Sequence, residues 1–180
     1  APSVAASEEP LTRERARSLL ARPEVLGMLA TLFFVTGVEG ILFTWLPYYA
    51  QTAVPGFAEV TLTLMLVMYV PGRYLSGALA ERVGYLTLAV GMVTALVPAV
   101  LATFVLADGL WVLAGIAVIG LLVSGTFPTL MAYATEAVPE HSGPVNALAS
   151  GMGSVGVGVA PAVMGVLIGR SSAGEAMGLL

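Results

Sequence analysis

The chain has 180 residues, of which 58% are hydrophobic and only 10% charged, and its mean hydropathy is +0.94. A soluble domain carries roughly 25% charged residues, so a water-soluble globule is excluded and most of this chain must face lipid or other helices. Seven arginines, eleven acids, a single histidine and no cysteine remove disulfides, thiol nucleophiles and cysteine-based zinc sites. They also remove the basic stripe that nucleic-acid binding requires, so no nucleic acid is expected as a partner.

Residues 1–24 open with Ala1-Pro2-Ser3 and Glu8-Glu9-Pro10. They lack the apolar material for a core and are read as a cytoplasmic linker or tail. Arginines here precede a full-length apolar span, which is not the layout of a secretory signal.

Five apolar runs follow, and a helix needs about 20 such residues to cross the hydrocarbon. Val25 to Ala50 is broken only by Glu39, and Val60 to Ala80 only by Arg73. Val83–Ala107, Gly109–Thr135 and Ser142–Gly169 carry no charge over 25, 27 and 28 residues. None alternates like a barrel strand. The reading is an all-α polytopic membrane bundle with helices at 25–50, 60–80, 84–107, 110–135 and 144–169. Residues 175–180 read as the start of a sixth helix, cut short in a fragment.

Arg13, Arg15, Arg17, Arg22 and Arg82 fall on one side of this topology and only Arg170 on the other. The positive-inside rule then places the tail, the 81–84 turn and the 135–143 loop in the cytoplasm of a cell membrane.

Glu39 stands near mid-membrane, where an ionisable residue costs at least about 2.5 kcal/mol and by default marks a substrate or ion path. Arg73 either snorkels toward the interface or pairs with Glu39, and the spacing leaves both open. Glu81-Arg82 with Gly84 forms a charged turn. Gly151-Met152-Gly153-Ser154-Val155-Gly156 is a literal GxGxxG, but no strand precedes it, so a dinucleotide site is rejected. Gly151, Gly153, Gly156, Gly158 and Gly165 are expected instead to let helices approach closely, with Pro161, like Pro128, permitting a bend. Trp45, Tyr48 and Tyr49 read as interface anchors, with stacking of a sugar on Trp45 as the alternative. His141 lies in a polar loop with no second histidine, so neither metal nor cofactor is expected. No catalytic constellation can be assembled at membrane depth, so the chain is not read as an enzyme.

Several local patterns converge on one family. Gly72-Arg73-Tyr74-Leu75-Ser76-Gly77-Ala78-Leu79-Ala80-Glu81-Arg82-Val83-Gly84 resembles the loop motif of the major facilitator superfamily, with Glu81 for its usual Asp and Tyr85 for its final basic residue. Val35-Thr36-Gly37-Val38-Glu39, with Trp45 and Pro47 behind it, resembles a helix of the fucose-permease-like sugar transporters. Gly125-Thr126-Phe127-Pro128-Thr129-Leu130, followed by Glu136 and Pro139, is similar to that subgroup too.

The resemblance implies the carboxy-terminal half of a twelve-helix transporter. Its partners would be the bilayer, the missing amino-terminal six-helix half, a small-molecule substrate and a proton. The first, second, fourth and fifth spans would line the cavity and the third would face lipid. Candidate substrate or proton residues are then Glu39, Arg73, Thr36, Trp45, Ser124, Phe127 and Ser154, and the gating loop is Gly77, Glu81, Arg82 and Gly84. The expected function is a proton-coupled sugar or polar-metabolite permease working by alternating access. An efflux transporter of the same superfamily is the first alternative and a non-transporting membrane scaffold the second.

Overall fold

The computed structural model describes residues 17, 21–137, 139, 142–170 and 173–177. Expectations for Arg13, Arg15, His141 and residues 178–180 lie outside the described residues. Within them the elements are α1 (Pro23–Ala53), a 3-10 turn (Pro55–Phe57), α2 (Ala58–Val67), α3 (Tyr69–Val83) and α4 (Tyr85–Leu101). A π-helical turn (Ala102–Leu106), α5 (Leu110–Ala137), α6 (Ser142–Ile168) and α7 (Ala173–Met177) follow. Among the described residues, five helical stretches are long and apolar enough to cross a bilayer, at 31, 29, 22, 28 and 27 residues. The protein is an all-α membrane helix bundle.

The ends of these helices follow from local chemistry. α1 begins at Pro23 rather than residue 25, because proline at the first position has its φ already set and Glu24 favours the positive end of the helix. The second span begins at Pro55 rather than residue 60. Glu59 does not interrupt it because it falls in the first turn of α2, where a carboxylate is stabilised. The span pauses at Met68, between α2 and α3. Pro71 has no N–H to offer the Val67 carbonyl, which is why the ladder loosens there.

Two glycines turn the chain. Gly84 separates α3 from α4 with φ +84° and ψ +152°, a region nearly closed to residues with a side chain. Gly109, with φ +55°, donates its N–H to Asp108 Oδ1 at 2.8 Å and leads into α5. Nothing lies within 4 Å of a Cβ built on Gly84, so strain at this position is purely backbone. Gly84→Ala is therefore expected to cost about 1–3 kcal/mol in thermal unfolding of the purified protein. Gly77→Ala, at an equally open but right-handed helical position, should leave stability unchanged or raise it slightly.

α5 is the central strut, packed against α1, α2, α3 and α4, while α1 and α6 form a second extended seam. α4 buries Leu88, Met92, Leu96 and Val100 and exposes Leu86, Val90, Val97 and Leu101, an apolar stripe suited to lipid. The buried apolar side chains form two principal clusters. One gathers Leu42, Leu46, Met65, Ile116 and Ile119, and the other Leu29, Leu32, Leu130, Val145 and Ala149. Since successive spans run antiparallel, these clusters occupy opposite ends of the bundle. The layer between them holds Glu39 and Tyr69, close to the midpoints of the first two spans.

Candidate functional site

That middle layer takes in the centres of the first two spans. Residue 38 is the midpoint of Pro23–Ala53 and residue 69 the midpoint of Pro55–Val83, so Glu39 and Tyr69 meet at half-depth. The Tyr69 hydroxyl donates to Glu39 Oε1 at 2.7 Å. Phe43, one turn beyond Glu39, packs on the Tyr69 ring with centroids 6.3 Å apart. Arg73, one turn beyond Tyr69, places its guanidinium carbon 5.9 Å from the centre of the same ring.

The sequence offered Arg73 two fates, pairing with Glu39 or snorkelling, and the structure shows a third arrangement. Tyr69 takes the acid at its hydroxyl and the cation on its face. A hydrogen bond to a charged group contributes about 1.5–3 kcal/mol and a cation over a ring about 0.5–2 kcal/mol. Each is of the order of the insertion cost of its charge, so the trio offsets much of the penalty without forming an ion pair. Tyr69 was not singled out from the sequence. The available signal was its position four residues before Arg73, on the same helical face.

Arg73 also lines a pocket of about 460 Å³ with Ser76, Gly77, Ala80, Tyr85, Phe127, Pro128 and Thr129. Phe127 thus faces a cavity, and its ring also reaches α6, 3.5 Å from a Cβ built on Gly153.

The remaining candidates fall in helix seams or on open faces. Thr36 is buried, its hydroxyl 2.7 Å from the Leu32 carbonyl and 2.9 Å from that of Gly153, in position to donate to either. Ser124 is 2% exposed and donates to the Leu121 carbonyl at 3.0 Å. It sits against Gly72, where an added Cβ would overlap its oxygen. Ser154 is exposed and donates to Ser150 O.

Trp45 is held in a helix seam rather than lying free at an interface. Its indole N–H donates to the Pro161 carbonyl at 3.0 Å, and its ring occupies the space left by Gly165, where an added Cβ would lie 2.9 Å from Cζ2. Trp45→Phe keeps most of the packing and removes the donor. It should lower unfolding stability by about 0.5–1.5 kcal/mol, measured by thermal denaturation in detergent.

The glycines of α6 divide by face. Gly153 and Gly156 meet α1 around Thr36, and Gly165 meets Trp45, whereas Gly151 and Gly158 have nothing within 4 Å. The seam also needs Gly37 and Gly40 on α1, which the sequence reading did not single out. A Cβ on Gly40 would lie 2.9 Å from the Val157 carbonyl, the carbonyl that Pro161 leaves without a helical donor. In the loop motif, Glu81, Arg82, Gly77 and Gly84 are all exposed.

A family model described as Major Facilitator Superfamily matches residues 2–161. No curated protein and no solved structure matches the chain.

Proposed function

The chain belongs to the Major Facilitator Superfamily, a family of membrane transporters, and from that premise we propose that it is the carboxy-terminal half of a proton-coupled permease for a sugar or similar small polar metabolite. In this reading the residues before Pro23 belong to the cytoplasmic linker, the helix Ala173–Met177 opens a sixth span, and an amino-terminal six-helix half completes the path. Within the superfamily, the fucose-permease-like subgroup is the proposed placement. Transport proceeds by rocking of the halves about a midplane site. The bilayer in question is the cell membrane, with the tail inside.

The observation that carries this reading is Glu39. It stands at half-depth between two apolar clusters, engaged through one oxygen by a neutral phenol. One hydrogen bond leaves acceptor capacity on the carboxylate for a proton or for substrate hydroxyls. Phe127 and Arg73 supply the adjoining pocket. The exposed loop residues Gly77, Glu81, Arg82 and Gly84 supply the cytoplasmic gate against the other half.

The test is uptake by the intact transporter in liposomes with an imposed proton gradient, inside alkaline. Accumulation of a labelled sugar, polyol or sugar acid above its external concentration, abolished by a protonophore, is the expected result. Substrate movement that ignores the gradient would remove the proton from the proposal, and outward-only movement would favour an exporter.

A further inference from the structure

We infer that Arg73 and the pocket it lines bind the carboxylate of a small organic anion, so that the transported metabolite is an acid. This inference rests on the transporter reading above and names its substrate class. Arg73 belongs to a stretch long and apolar enough to cross the bilayer. A guanidinium stays charged when desolvated and presents donors in a planar fork. Among the described residues that fork has no hydrogen-bonded acceptor and no ion pair, only the face of Tyr69 at 5.9 Å.

Glu39, the acid nearest the middle of the spans, is engaged by the Tyr69 hydroxyl instead. Arg73 therefore keeps its directional donors for something else. The space beside it is a pocket of about 460 Å³ whose other walls include Ser76, Tyr85, Phe127 and Thr129. Ser76 and Thr129 spend their hydroxyl protons on the backbone carbonyls of Arg73 and Gly125, so they offer a ligand only acceptor oxygens. The guanidinium is then the strongest donor facing the pocket.

A neutral sugar entering here would leave the cation, inside the span, with the Tyr69 ring as its sole partner among the described residues. A carboxylate matches the fork with two parallel hydrogen bonds. The hydroxyls of the same molecule can donate to Ser76 and Thr129, and its carbon skeleton can rest on Phe127.

Matched ligand pairs test this on the intact, purified transporter. Glucuronate with glucose, and lactate with propane-1,2-diol, share a carbon count and differ chiefly in the carboxylate. Calorimetry should show each acid bound at least about tenfold more tightly than its neutral partner, the scale of a charge-assisted hydrogen bond. Arg73→Gln should erase that preference while leaving the neutral partners within about twofold, and Arg73→Lys, which keeps charge without the fork, should fall between. A melting temperature near wild type for Arg73→Lys guards against misfolding as the cause.

Equal binding of acid and neutral partner, binding of inorganic phosphate with no carboxylate bound, or no binding in either pair would overturn the inference. So would equal loss for both partners in Arg73→Gln, the signature of an arginine paired to a carboxylate elsewhere in the transporter. Counterflow in liposomes separates this inference from its premise. Acids bound but never exchanged would keep the carboxylate site and sink the transporter reading. Glucose exchanged while glucuronate is neither bound nor exchanged would do the reverse.

Discussion

Glu39→Gln in the intact transporter is expected to collapse proton-driven accumulation to simple equilibration while substrate exchange stays within about threefold of wild type. The reason is chemical. Gln keeps a carbonyl oxygen that can accept the Tyr69 hydroxyl now bonded to Glu39 Oε1, so the α1–α3 contact survives, but it cannot take up and release a proton.

If Glu39 and Arg73 were an ion pair, the same change would strand a cation inside a membrane span and cost about 2.5 kcal/mol or more. Arg73 rests on the Tyr69 ring instead, so the melting temperature should barely move. Tyr69→Phe provides the complementary variant. It removes the donor to Glu39 and keeps the ring beneath Arg73, so exchange should persist while the proton dependence shifts. Uphill uptake measured beside counterflow, with size-exclusion profiles for both variants, decides the matter. Normal accumulation by Glu39→Gln would eliminate Glu39 as the coupling group.

The fold was largely legible because lipid imposes a length and a polarity that few sequences meet by accident. Runs free of charge mark spans, and arginines mark their ends. Where the helix boundaries differ, the cause is a residue whose effect depends on position: Glu59 would break a hydrophobic count, yet it suits a first turn.

The site was legible only in part. Glu39 and Arg73 announce themselves as charges in apolar runs, whereas Tyr69, which joins them, is a half-polar ring of a kind membranes usually hold at the interface. Trp45 shows the same ambiguity. Anchoring and sugar stacking were the readings available from the row of letters, and the indole instead ties α1 to the Pro161 carbonyl of α6. No periodicity in α1 encodes which carbonyl of another helix will arrive within reach.

The same blindness to partners governs the glycines of α6, and it yields the last expected result. Gly156→Leu should prevent stable folding, or cost about 3 kcal/mol or more, at or beyond the usual range for overpacking. Gly158→Leu should leave the fold of the chain within about 0.5 kcal/mol of wild type.

Both residues lie in one apolar helix two positions apart, about 200° of rotation, so they point to nearly opposite sides. An added Cβ at Gly156 would overlap the Phe33 carbonyl and lie 2.5 Å from Thr36 Oγ1 and 3.2 Å from the Gly37 backbone nitrogen, while at Gly158 nothing stands within 4 Å. Backbone atoms in a packed seam cannot swing aside as a flexible side chain can, so even Gly156→Ala should lose about 1–3 kcal/mol. Thermal unfolding in detergent measures all three variants, and a Gly156→Leu protein as stable as wild type would show that α1 and α6 are not held at this separation. Gly158→Leu carries a second readout. If the open face of α6 closes against the other half during transport, this variant folds normally and binds substrate, yet exchanges it slowly. Its bulk then meets a surface that is present only in the closed state.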